Sequence, residues 1–102
     1  MQEENIKALP RAQAIATGCN FLISASTGNP LLTVEPGCSV GEALRISTKL
    51  LDGLSCLLQR VTDDPGDTLG PTELFAVRVT LETASSINLA CRRGLEAEER
   101  EA

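Results

Sequence analysis

Ser39 to Val61 reads SVGEALRISTKLLDGLSCLLQRV, and its apolar residues fall at Val40, Ala43, Leu44, Leu50, Leu51, Leu54, Leu57, Leu58 and Val61. That three-four spacing, held over about six turns, predicts one long amphipathic helix. Ser39 stands at its N-cap. Glu42, three residues on, completes a Ser-x-x-Glu capping box in which hydroxyl and carboxylate each satisfy a free backbone donor. Glu42, Arg45, Lys49, Asp52, Gln59 and Arg60 fall largely outside the stripe and form a solvated face. Gly53 lies beside Leu50, Leu54 and Leu57 on the wheel. It marks either a close approach by another helix or a glycine tolerated at a cost of about 1 kcal/mol.

Toward the C-terminus, Thr62 to Gly70, TDDPGDTLG, ends this helix, because Pro65 cannot continue it. Its three aspartates lack the alternating ligands and terminal Glu of a calcium loop, so they read as turn and capping residues. A second long helix is expected from Gly70-Pro71-Thr72-Glu73. Its stripe is Leu74, Val77, Leu81, Ala84, Asn88, Cys91 and Leu95, widened by Phe75, Ile87 and Leu89. Asn88 either fixes the register between helices or lies at the edge of the stripe. Gly94, after Arg92 and Arg93, is a natural helix stop, the alternative being a helix that continues through the glutamates.

Toward the N-terminus, Pro36-Gly37 suits a type II turn, with glycine supplying the positive φ. Leu31 to Glu35, LLTVE, is a short strand or extended arm. Cys19 to Ala25, CNFLISA, is a short strand or buried extended segment, and Ser24 to Pro30 is a loop in which Gly28 and Asn29 can take positive φ. Pro10 opens a short helix through RAQAIATG. These expectations divide the chain into an N-terminal segment (1–30) containing that short helix, a helical-hairpin domain (31–95) and a charged tail (96–102).

Composition narrows the chemistry. The chain has 102 residues, a net charge of -5 and a pI near 4.6, with nine basic residues spread along its length. Direct nucleic-acid binding is disfavoured by that charge and by the presence of only two aromatics, Phe21 and Phe75. A ribbon–helix–helix arm would need base-reading side chains where LLTVE offers Thr33 and Glu35. The sequence contains no histidine. Cys19, Cys38, Cys56 and Cys91 form no CxxC pair and read as small buried hydrophobes in a reducing cytoplasm. No catalytic, cofactor-binding or metal-binding constellation is recognisable, so the expectation is a protein that is not an enzyme and needs no cofactor. Gln2, Glu3 and Glu4 do not form the basic start of a secretory signal, and the apolar runs are too broken for a membrane span. A cytoplasmic setting follows.

The short loop makes the two helices antiparallel, with the turn near Gly66, which brings Cys38 within about a turn of Cys91 and Cys56 near Ala76. Both stripes are wider than one shared seam requires. The expected fold is therefore mainly α: an antiparallel hairpin of two long helices with an extended N-terminal arm, dimerising into a four-helix bundle through Leu50, Leu54 and Leu57.

The run from Leu31 to Leu58 resembles a family of short bacterial proteins of unknown function, common in pseudomonads. The matching positions are Leu32, Val34, Pro36, Gly37, Glu42, Ala43, Leu44, Leu50 and Leu51. The resemblance extends over about residues 31–95 if the second helix is included. It implies a small helical domain and brings no catalytic residues.

Two functions fit this inventory. The first is a homodimeric helical interaction or regulatory module that contacts an as yet unidentified protein partner. The second is a small acidic inhibitor or antitoxin-like protein that occupies the basic site of a nucleic-acid enzyme, with Asp63, Asp64, Asp67, Glu96, Glu98, Glu99 and Glu101 supplying the charge.

Overall fold

The computed structural model describes residues 14–64 and 66–101. Two strands, β1 (Cys19–Ile23) and β2 (Pro30–Val34), precede two helices, α1 (Val40–Asp63) and α2 (Pro71–Glu101). Helix α1 starts at the expected cap: Ser39 is extended, and its hydroxyl accepts from the Glu42 N–H at 3.2 Å. The Glu42 carboxylate accepts from the Cys38 thiol at 3.6 Å, so the cap rests on Ser39. At the other end, the Asp64 N–H donates to the Arg60 carbonyl at 3.1 Å and the Asp64 carboxylate takes the Gly66 N–H at 3.1 Å. Helix α2 opens with the Gly70 N–H donating to the Glu73 carboxylate at 2.8 Å.

The helices pack side by side and antiparallel. Ser47 donates through its hydroxyl to the Asn88 side-chain oxygen at 2.7 Å, and the Cys91 thiol lies 3.9 Å from the Val40 carbonyl. With that register, Leu51 comes level with Ala84 and Leu58 with Val77.

The N-terminal arm is a hairpin rather than a single extended run. Strands β1 and β2 pair antiparallel as Cys19↔Val34, Asn20↔Thr33, Phe21↔Leu32 and Ile23↔Pro30. Gly28, at φ 75°, and the Ser24 N–H bond to the Asn29 carbonyl close the loop. Gly37, at φ 112°, makes the expected turn into α1. Each strand is too short to decide its structure by periodicity, and the hairpin exists because its partner lies a few residues away. A two-stranded sheet is marginal alone; this one leans on α2, where β1 makes most of the contact.

Two expectations change. Pro10 to Gln13 of the anticipated short helix lie outside the described residues, but Ala14 to Gly18 are not helical. Ile15 pairs with Ser39 in an antiparallel bridge, the Ala16 N–H donates to the Cys38 carbonyl at 2.8 Å and the Val40 N–H donates to the Ala14 carbonyl at 2.6 Å. Ala14 is 3% exposed, Ile15 52% and Ala16 1%. This is the period of a strand, and tertiary packing of two small residues overrides alanine's helix propensity. The second change is at Gly94, which does not stop α2. The helix continues through the glutamates of the charged tail to Glu101. Gly94 is instead the point where the extended segment crosses α2: a Cβ there would overlap the Ile15 carbonyl oxygen and stand 3.1 Å from the Ala16 Cα.

The core formed at this crossing consists of Ala14, Ala16, Val40, Ala43, Ala90 and Cys91, with Cys19, Val34, Cys38, Ile87 and Leu95 packed around it. It is made largely of small side chains. Among the described leucines only Leu54 is buried, while Leu44, Leu51, Leu58, Leu74 and Leu81 are exposed.

Candidate interaction surface

A heptad labelling of both helices sorts these leucines. With Val40 as position a, α1 places Val40, Ser47, Leu54 and Val61 in row a, Ala43, Leu50 and Leu57 in row d, and Leu44, Leu51 and Leu58 in row e. With Val77 as a, α2 places Val77, Ala84 and Cys91 in row a, Thr80, Ile87 and Gly94 in row d, and Leu74, Leu81, Asn88 and Leu95 in row e. The a rows form the seam: Val40, Ser47, Leu54, Ala84 and Cys91 are all buried. Both e rows are rotated the same way from the seam. Because the helices are antiparallel, the e rows come to the same side of the hairpin, and the d rows face the other.

These two sides differ. On the d side, the extended segment and β1 cover the open end of the hairpin, where the Thr17 N–H donates to the Ala90 carbonyl at 3.2 Å. Nearer the loop that side carries an open groove of about 370 Å³ between Leu50, Gly53 and Leu57 of α1 and Ala76, Val77 and Thr80 of α2, with Lys49 and Glu73 at its rims. Apart from its chain neighbours and its own helical backbone, no atom of the described residues comes within 4 Å of a Cβ built at Gly53. On the e side, Leu44, Leu51, Leu58, Leu74 and Leu81 are between 38% and 53% exposed. Their exposure shows that no other segment among the described residues covers this face.

The three residues expected at an interface all line the d-side groove, Leu54 buried at 7% exposure and Leu50 and Leu57 half-buried beside it. Of the leucines on the two helices, those with most free surface are Leu44, Leu51, Leu58, Leu74 and Leu81 of row e, while Leu95 of the same row packs against the core. Their seven-residue spacing is visible in the sequence as Leu44, Leu51 and Leu58, and again as Leu74 and Leu81. Row a being the intrachain seam is what reveals row e as the free surface, and that needs the register of the hairpin.

Asn88 interrupts the α2 row. It is exposed, yet its side-chain oxygen accepts from Ser47, which is buried, so an edge residue ties the two helices in register. Polar groups elsewhere serve local structure: Arg78 pairs with Glu82 at 2.8 Å, and Thr62, Thr80 and Thr83 donate to the carbonyls four residues before them.

All four cysteines are free thiols. Burial pushes the Cys38 thiol up from its ordinary pKa, and its hydrogen bond to Glu42 and the charge of that carboxylate act the same way, against the opposing Arg45. Burial, and then the neighbouring Cys38, push Cys91 up as well. Neither is held as a thiolate, the form a cysteine nucleophile or metal ligand requires. Among the described residues no three His, Cys, Asp or Glu side chains gather in a way that could hold a metal ion, and no helix is long and apolar enough to cross a membrane.

Compared with family models, with curated proteins and with solved structures, the chain gives no match.

Proposed function

We propose that this chain is a non-enzymatic, homodimeric helical module of the cytoplasm that acts through protein–protein contacts. The observation that supports this reading is an inversion of the usual burial order. The chain encloses alanines, a valine, a cysteine and one leucine, and leaves five leucines on one side of the hairpin in contact with water. Burying a leucine side chain stabilises by about 1.5–3 kcal/mol, whereas an alanine methyl contributes under about 1 kcal/mol. With these leucines 38–53% exposed, a sizeable part of the hydrophobic free energy available to the helices is realised only when another surface covers them. An exposed apolar face of this kind is the mark of a contact surface.

Size-exclusion chromatography with light scattering at micromolar concentration tests the reading. The expected mass is twice the 10.8 kDa of the chain, unchanged between low and high salt because apolar contacts are not screened. A fully helical, stable monomer across that range refutes it.

A further inference from the structure

We infer that the occupant of the e-side face is the same face of a second copy, related by a two-fold axis, with leucines of row e acting as knobs. This rests on the reading above and gives it a surface and a geometry.

Three observations point to a second copy. First, Leu51, Leu54, Ser55 and Leu58 frame one end of a depression on the e side, which continues past Gln59, Thr62 and Asp63 toward the loop. They are residues i, i+3, i+4 and i+7 of one helix, the four-residue hole that receives a side chain of a facing helix in coiled-coil packing. Ser55 keeps the hole open, and the chain's own row e supplies leucines at the seven-residue repeat that fills such holes. The surface is therefore both knob and hole, as a two-fold interface requires.

Second, the area is right. Helix α1 has 24 residues, about 36 Å at 1.5 Å each, and two adjacent helices are about 20 Å wide, giving a face of about 700 Å². A stable interface takes about 800 Å² from each partner.

Third, the charge permits it. A chain of net charge -5 repels its own copy. The row beside the α1 leucines is Gly41, Thr48, Ser55 and Thr62, all small and uncharged. The corresponding α2 row is Arg78, Ser85 and Arg92, with Arg78 paired to Glu82 at 2.8 Å, and Asp63 stands at the loop end of the depression, so the charged groups of this side are of both signs and lie at its margins.

In the resulting four-helix bundle, the β-hairpin and the d-side groove of each copy face outward. Leu51 and Leu81 are the residues to perturb, since both are exposed in the single chain and a charge there is compatible with its folding. Four proteins are compared by light scattering and circular dichroism: wild type, L51K/L81K, L51E/L81E and A76K, the last placing its charge in the d-side groove. The wild type and A76K are expected to be dimers. The two double variants should be helical monomers with dimer dissociation constants raised at least ~100-fold, because each would bury unpaired charges. Mixing them in equal amounts should restore a dimer by pairing lysine face with glutamate face. Persistence of the dimer in both double variants, or its loss in A76K alone, overturns the e-side assignment and leaves the homodimer reading standing. If the double variants lose their helix singly, recovery of helix and dimer on mixing still supports the face, and no recovery counts against it. A monomeric wild type overturns both.

Discussion

Gly94→Ala distinguishes a glycine placed for close approach from one that stops a helix. Gly94 sits seven residues before the end of α2, so in an open helix alanine would stabilise it by about 1 kcal/mol. In this fold the added methyl would overlap the Ile15 carbonyl oxygen, with the Ile15 carbonyl carbon 2.9 Å and the Ala16 Cα 3.1 Å away. Those atoms are backbone, and they cannot swing aside as a side-chain tip can. The segment Ala14 to Thr17 has to lift from α2, which stretches the Thr17 bond to the Ala90 carbonyl, now 3.2 Å, and loosens Ala16 in the core. Overpacking of this kind costs about 1–3 kcal/mol and one weakened hydrogen bond about 1 kcal/mol. After the gain in helix propensity, the net effect is a destabilisation of about 2 kcal/mol. Gly53→Ala is the matched control. It is also inside a helix, but its Cβ would meet nothing within 4 Å, so it should gain about 1 kcal/mol. Urea denaturation followed by far-UV circular dichroism, at one fixed protein concentration, reads both. Opposite signs are expected; a Gly94→Ala protein as stable as wild type, or more so, would show that the extended segment does not cross α2 there.

The same titration reads other sites. Ser39→Ala removes the acceptor of the Glu42 N–H and should cost about 1 kcal/mol, with Ser39→Asp recovering most of it. Asn88→Ala leaves the buried Ser47 hydroxyl without its partner and should cost about 1–3 kcal/mol. Ser47→Ala should cost less, because the exposed Asn88 turns to water; equal losses would mean the bond does not carry the difference. Stability should also fall as pH rises above 9.0, the ordinary thiol value: Cys38 and Cys91 are raised above it in the folded chain, so the unfolded chain releases those protons first and gains from doing so. Below that pH the contribution is fully present. A Cys38→Ala, Cys91→Ala protein should lose this alkaline slope, and a slope that persists in it would assign the effect to other groups.

What the sequence disclosed was whatever its own periodicity or capping chemistry records. Ser39 and the three-four spacing set α1, Pro65 and Pro71 bracketed the loop, and Pro36-Gly37 marked the turn before the cap. The extended segment of Ala14 to Gly18 escaped because two alanines around an isoleucine read as helix formers, and their alternation in burial depends on α1 and α2 closing around them. Gly94 escaped for a related reason. A glycine after two arginines has the chemistry of a helix end, and only the Ile15 carbonyl lying against it gives the other explanation. In the candidate surface, the excess width of the stripe was legible, but the half of it left over was not. Leu54 lies at the centre of the stripe and is the one that α2 covers.

Helix pairing uses the centre of an apolar stripe first, because that is where two cylinders touch. A stripe occupying rows a, d and e in both helices leaves two flanks after the seam has formed. Here the N-terminal half of the chain takes part of one flank. Ala14, Ala16 and β1 lie on the d side, reaching the helix through Gly94 and Ala90, and no described segment does the same for the e side. The asymmetry follows from residue size. Small residues at Ala43, Ala90 and Gly94 admit a backbone close to the helices, so a segment of the same chain packs there; leucines at Leu44, Leu51, Leu58, Leu74 and Leu81 hold a backbone off and instead offer side chains to interdigitate with a facing helix. Each side of the hairpin therefore carries the residues suited to a different kind of partner, extended chain on one and helix on the other. A helical hairpin with the same free row, available at the concentration of the protein itself, meets the second requirement.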